Sequence, residues 1–206
     1  FVGGVGMAEI AAATLRAVKA KKPQLVVLAG IAGACDRTLR RGEVVEVVTE
    51  RIAGIPERYA RKYETSGPDL GLPLAAGVTV SRSGDGAAAK DGPKSAAEGT
   101  GHAAGDAGFA EPHPGFTADD RAGHAAEGTQ RQTPEGNPEN TSEGYLPEVE
   151  NMEGAAFFAV CDALGVACCQ IRAVSNYVGE PFGQWAVEEA VGNLTEKLNQ
   201  IFESNE

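Results

Sequence analysis

The chain has 206 residues, 42% hydrophobic, 6% aromatic and 23% charged, with a formal charge of −11. That length predicts one domain over residues 1–206. No apolar run approaches the ~18 residues of a membrane span, and no basic segment opens the chain as in a signal peptide. The acid surplus would repel nucleic acid and anionic lipid, so neither is an expected partner. Cys35, Cys161, Cys168 and Cys169 all lie in apolar segments. They fit neither a zinc motif nor a disulfide framework, which predicts a reducing, cytoplasmic setting. His102, His113 and His124 are not spaced as metal ligands, and no metal is expected.

In chain order, Met7, Ile10, Ala11, Leu15 and Val18 recur at helical spacing. Lys19, Lys21 and Lys22 suit the helix C-terminus, and Pro23 ends it. Leu25–Ala29 is a continuous apolar run, as in a strand buried on both faces. Glu43–Thr49 reads as a second strand and Gly77–Ser81 as a weaker third. Between Val80 and Leu146 there is no Val, Ile, Leu, Met, Cys or Trp. Such a stretch cannot bury enough surface to offset roughly 1–2 kcal/mol of backbone entropy per residue. Residues 81–145 are therefore expected to form a long low-complexity loop or insertion. Met152–Leu164 is apolar nearly all round and reads as a buried helix. Ala167–Val174 is another strand. From Trp185, the series Val187, Val191, Leu194, Leu198, Ile201 and Phe202 makes an amphipathic C-terminal helix. Strands alternating with helices predict a parallel sheet covered on both faces, a three-layer α/β/α sandwich. Ligands bind such sheets beyond the C-terminal ends of the strands.

Four motifs are placed to carry chemistry, and each has a plainer account. Gly3-Gly4-Val5-Gly6 precedes a helix and suits either a phosphate cradle or a strand-to-helix turn. Gly30-Ile31-Ala32-Gly33 follows a strand, where glycines permit either close ligand approach or a tight turn. In Glu150-Asn151-Met152-Glu153-Gly154, Asn151 suits a helix N-cap and Glu153 the helix dipole. The same Glu153 carboxylate suits a cleft, where each oxygen accepts from the paired hydroxyls of a ribose. Arg172-Ala173-Val174-Ser175-Asn176-Tyr177 puts polar residues at a buried strand's end. Asn176 there is either a site residue or a turn cap.

Together the segments GVGMAEIAAATL, LVVLAGIAGACDRTLRRGEVVEV, ENMEGAAFF and QIRAVSNYVGEPF resemble the nucleoside phosphorylase/hydrolase superfamily. Within it, VTERIAGIPERYARKYE and QIRAVSNYVGEPF are similar to the bacterial futalosine hydrolase family of menaquinone biosynthesis. Residues 81–145 carry none of the resemblance. It implies a domain of the phosphorylase/hydrolase type that cleaves a purine–ribose bond in a small-molecule nucleoside, without cofactor. It also implies a homo-oligomer. Glu153 matches the family glutamate on the ribose hydroxyls, and Met152 the residue packed on the sugar. Ile31, Ala32 and Gly33 match the loop lining base and ribose. Val5 matches an apolar contact at the sugar's 5′ side. Ser175 and Asn176 match a Ser-Asp pair whose aspartate protonates N7 of adenine in the methylthioadenosine/adenosylhomocysteine nucleosidases.

The change to Asn176 is informative. An amide donates to the O6 carbonyl of hypoxanthine while its oxygen accepts from N7–H. A mismatched base leaves a buried polar pair unmatched, worth roughly 1–3 kcal/mol. Asn176 therefore favours a 6-oxopurine such as the hypoxanthine of futalosine. Leu28 and Ile31 stand where similar phosphorylases carry phosphate-binding Arg and Ser, which favours water as nucleophile. The resemblance also implies a first strand, bearing a water-activating glutamate, that would precede Phe1. It implies a base-stacking aromatic within 81–145, for which Phe109 and Phe116 are the candidates. The alternatives are an adenine-releasing nucleosidase and a nucleoside-binding homologue without catalysis.

Overall fold

The computed structural model describes residues 1–83 and 145–203. Helix α1 (Met7–Lys21) leads to β1 (Leu25–Ala34) and β2 (Val44–Ile52), then a 3-10 turn and the short β3 (Lys62–Glu64). The strands β4 (Leu74–Thr79) and β5 (Glu148–Asn151) follow. Helix α2 (Gly154–Leu164), strand β6 (Ala167–Tyr177) and helix α3 (Val187–Phe202) complete the described chain.

The mixed α/β class holds, but the sheet is not the open layer of a sandwich. Its order is β3-β2-β4-β5-β1-β6, and β2 also pairs with β6, so five strands close on themselves. The pairs β2–β4, β4–β5 and β1–β6 are parallel, whereas β2–β6 and β1–β5 are antiparallel. In this chain the β2–β6 pair that closes the sheet is antiparallel, and a count of β-α alternations carries no information on such pairing. The interior of a closed sheet then offers a place for polar side chains shielded from water.

Three apolar clusters hold the fold. Leu39, Val45, Val47, Ala75, Val149 and Val174 form one against the strands. Helix α3 packs Ala190 and Leu194 on Ile171 and Ala173. Ile10 of α1 meets Phe157, Phe158 and Cys161 of α2 and Cys168 of β6. No disulfide joins the four cysteines. No helix among the described residues is long and apolar enough to cross a membrane.

Several boundaries differ from expectation. Strand β1 runs on through Gly30–Gly33 to Ala34, so this glycine pair lies in a strand, not a turn. Strand β6 likewise continues through Ser175 and Asn176 to Tyr177. Helix α2 begins at Gly154 rather than Met152, because β5 holds the chain extended up to Asn151. The third strand starts earlier, at Leu74, and β3 and β5 had no sequence signal of their own. A three- or four-residue strand shows no useful period. The three histidines, Phe109, Phe116 and nearly all of 81–145 lie outside the described residues.

Candidate active site

A cavity of about 480 Å³ opens beside the C-terminal halves of β1 and β6. All nine residues singled out by the sequence line it: Val5, Ile31, Ala32, Gly33, Asn151, Met152, Glu153, Ser175 and Asn176. They come from four parts of the chain, and β-strand pairing is what unites them. The parallel register sets Gly30 opposite Arg172 and, past a bulge, Gly33 opposite Asn176. A bulge re-aims side chains locally, and here Ser175 is the residue left without a partner across the strand.

The two strand glycines make room for polar groups. A β-carbon at Gly30 would stand 2.6 Å from Arg172 Nη1, and one at Gly33 would stand 3.0 Å from Asn176 Nδ2. Each glycine therefore receives a side chain of β6 against the backbone of β1. Neither the tight turn nor ligand approach alone accounts for them.

Glu153 is anchored at both oxygens. Its Oε1 accepts from the Gly6 backbone N–H at 2.9 Å, and its Oε2 from Arg172 Nη2 at 3.2 Å. Gly6 is the N-cap of α1, with φ of 90°, and so offers its N–H at the positive end of that helix. An internal carboxylate thus meets the Gly3–Gly6 turn, where the sequence left a phosphate cradle open. The Met152 N–H adds a 3.3 Å bond to Oε2.

The N-cap of α2 is Glu153 rather than Asn151, which ends β5 and reaches the helix start through its side chain. Asn151 Oδ1 accepts from the N–H groups of Gly154 at 2.7 Å and Glu153 at 3.0 Å. Arg172 Nη2 reaches the same oxygen at 3.2 Å, and Nη1 donates to the Ile31 carbonyl at 3.2 Å. The guanidinium is 3% exposed. Burial pulls Arg172 below its usual range, opposed by the Glu153 and Glu50 carboxylates.

At the far end of β6, the Ser175 hydroxyl donates to Asn176 Oδ1 at 2.8 Å. Asn176 Nδ2 donates to the Tyr177 carbonyl at 3.0 Å. One amide hydrogen and one oxygen lone pair of Asn176 stay available to a ligand. Both residues are buried.

Sequence reasoning missed Arg172 as a site residue, although a lone cation within an apolar strand was a usable signal. It also missed Phe182 and Trp185, which line the cavity with ring centroids 5.1 Å apart. Beneath the cavity lies Glu50 of β2, 1% exposed. Its carboxylate accepts from Thr79 Oγ1 at 3.0 Å, Asn151 Nδ2 at 3.1 Å and Gln170 Nε2 at 3.0 Å. Burial pushes Glu50 up to about 7, against the opposing pull of Arg172 and these three donors. Among the described residues no group of His, Cys, Asp or Glu is arranged to hold a metal ion.

The mixed α/β fold is similar to that of solved nucleosidases. Residues 113–204 match the family model of the Phosphorylase superfamily. The methylthioadenosine/adenosylhomocysteine nucleosidase of Helicobacter pylori, solved with butyl-thio-DADMe-Immucillin-A, aligns with a TM-score of 0.62 and 14% identity. That alignment covers 98% of this chain and 78% of the other. In sequence the chain is similar to futalosine hydrolase from Thermus thermophilus, 41% identical over 54 residues. The matched stretch is 26% of this chain and 24% of that enzyme. The native structure of Helicobacter pylori futalosine hydrolase aligns with a TM-score of 0.50 and 14% identity, over 97% of this chain and 71% of that one.

Proposed function

We propose that this chain, as a single domain, hydrolyses the N-glycosidic bond of futalosine, releasing hypoxanthine and dehypoxanthine futalosine. The observation that carries this reading is the meeting of Glu153 and Asn176 on one cavity. One end supplies an anchored carboxylate for a diol, and the other a carboxamide with one donor and one acceptor to spare. The similarity to futalosine hydrolase and the fold of the nucleosidases support it.

In the proposed reaction Glu153 accepts from the ribose hydroxyls, with Met152 and Val5 against the sugar. Ile31, Ala32 and Gly33 line the base and ribose. As the C–N bond breaks, its electron pair leaves with the purine, and positive charge builds on the sugar. The Glu153 carboxylate lies on the sugar side of that charge. Asn176, its oxygen held by Ser175, donates to O6 and accepts from N7–H. An amide has no proton to give, so N7 takes its proton from solvent. Water adds to the sugar carbon and loses a proton. Leu28 and Ile31 supply no anion contact, which favours water over phosphate. We further propose that the chain works as a homo-oligomer in the cytoplasm.

The test is release of free base, measured by chromatography, from futalosine and from methylthioadenosine. Faster release from futalosine is expected. Preference for methylthioadenosine would replace this reading by the adenine-releasing one. Tight binding of inosine without release from either substrate would make the chain a nucleoside-binding protein.

A further inference from the structure

We infer that Glu50 is a positioning residue that sets the Arg172–Glu153 ion pair through the side chain of Asn151. The inference rests on the reading of the site given above, where Glu153 faces the sugar. It begins with an amide that has two faces. Asn151 Nδ2 donates to both oxygens of Glu50, at 3.1 Å each. That leaves Asn151 Oδ1 pointing the other way, onto the N–H groups of Glu153 and Gly154 and onto Arg172 Nη2. Turned over, the amide would set an NH₂ group against two backbone N–H donors and a guanidinium. Glu50 thus holds the Asn151 amide from one side while those three donors hold it from the other.

Arg172 depends on that orientation. Its guanidinium is held through Nη1 and Nη2 alone, by Ile31 O, Asn151 Oδ1 and Glu153 Oε2. Its buried Nε has no hydrogen-bond partner among the described residues. Losing Asn151 Oδ1 would leave Nη2 with Glu153 only and free the guanidinium to slide along β1.

Two further features show that the structure is built around the Glu50 carboxylate. A β-carbon on either Gly77 of β4 or Gly154 of α2 would fall on that carboxylate. All of its described side-chain partners are donors: Thr79, Asn151 and Gln170. Thr79 Oγ1 in turn accepts from the Ala155 N–H at 2.8 Å, tying the same network to the first turn of α2. A carboxylate satisfies all these donors at once. A carboxamide at position 50 would turn donors against donors.

The test is Glu50→Gln, read in two ways. In its crystal structure, Arg172 Nη2 and Glu153 Oε2 are expected to move from 3.2 Å to beyond 4 Å. In kinetics on futalosine, KM is expected to rise about tenfold or more, because Glu153 no longer meets the sugar squarely. Loss of folded protein alone lowers apparent kcat and leaves KM where it was. An unmoved ion pair or an unchanged KM overturns the inference. If Glu50→Gln does not fold, Glu50→Asp carries the test. Its charge is kept but its reach is shorter, so a smaller shift of the pair and of KM is expected. An unchanged pair and KM in that variant likewise overturn the inference. If the unaltered protein releases no base from any purine nucleoside, the proposed function falls. The Glu50→Gln crystal structure then decides by itself whether Glu50 sets the pair.

Discussion

The cavity has two unlike walls. One is β1, where Leu28, Ala29, Ile31 and Ala32 present apolar side chains and two glycines expose backbone. The other is built from β5, the start of α2 and β6, and carries Asn151, Glu153, Arg172, Ser175 and Asn176. The apolar wall sets shape and is held by packing. The polar wall is held by hydrogen bonds in which nearly every acceptor already serves an internal donor. A recognition group with a spare lone pair can then meet a ligand without first paying to be ordered.

Breaking the polar wall should cost most. Glu153→Ala removes the counter-charge of a buried guanidinium. Stability should fall by about 3–5 kcal/mol, seen as a lower denaturant midpoint. Base release should fall at least about a hundredfold, as a charged hydrogen bond to the sugar is lost.

The next effect is electrostatic and lies below both walls. Glu50 rises from 4.5 to about 7 on folding. The folded state therefore binds the extra proton between those values. Stability from this group is full below pH 4.5 and is lost as pH climbs through 7. The loss amounts to roughly 3 kcal/mol, and Glu50→Gln should flatten that part of the stability–pH curve.

The contrast between the walls sharpens at their contact. Gly30→Ala puts a methyl group 2.6 Å from Arg172 Nη1. Overpacking of this kind costs about 1–3 kcal/mol, measurable by thermal melting, and base release should fall with it because Arg172 must move off Glu153. Gly33→Ala is the milder neighbour, since Asn176 Nδ2 would lie 3.0 Å away. Asn176→Asp should leave the fold intact and swing preference toward 6-aminopurine nucleosides by about ten- to a hundredfold. The smallest effect belongs to the apolar wall: adding inorganic phosphate should leave the rate unchanged. A phosphate-dependent rate would show that β1 hides an anion site.

The motifs were legible because glycines and polar residues interrupt apolar runs. Glu153, Asn176 and the Gly30–Gly33 pair stood out on that ground, and the structure gathers them at one cavity. Arg172 and Glu50 did not stand out. Each sits in a strand whose burial depends on partners far along the chain: Glu50 is satisfied by residues 29, 101 and 120 positions away. No local pattern reveals that three donors will converge on one acid.

Helical periods, apolar runs and the placing of glycine were properties of the sequence alone, because each arises from neighbours within a few residues. They determined α1, α2 and α3, the main strands, and which side chains were candidates for chemistry. Tertiary structure decided the rest: that β2 meets β6 to close the sheet, that β1 runs through its glycines, and that Glu153 is gripped by Gly6 and Arg172. Those outcomes depend on register and on burying charge beside charge, and both exist only when distant strands pair.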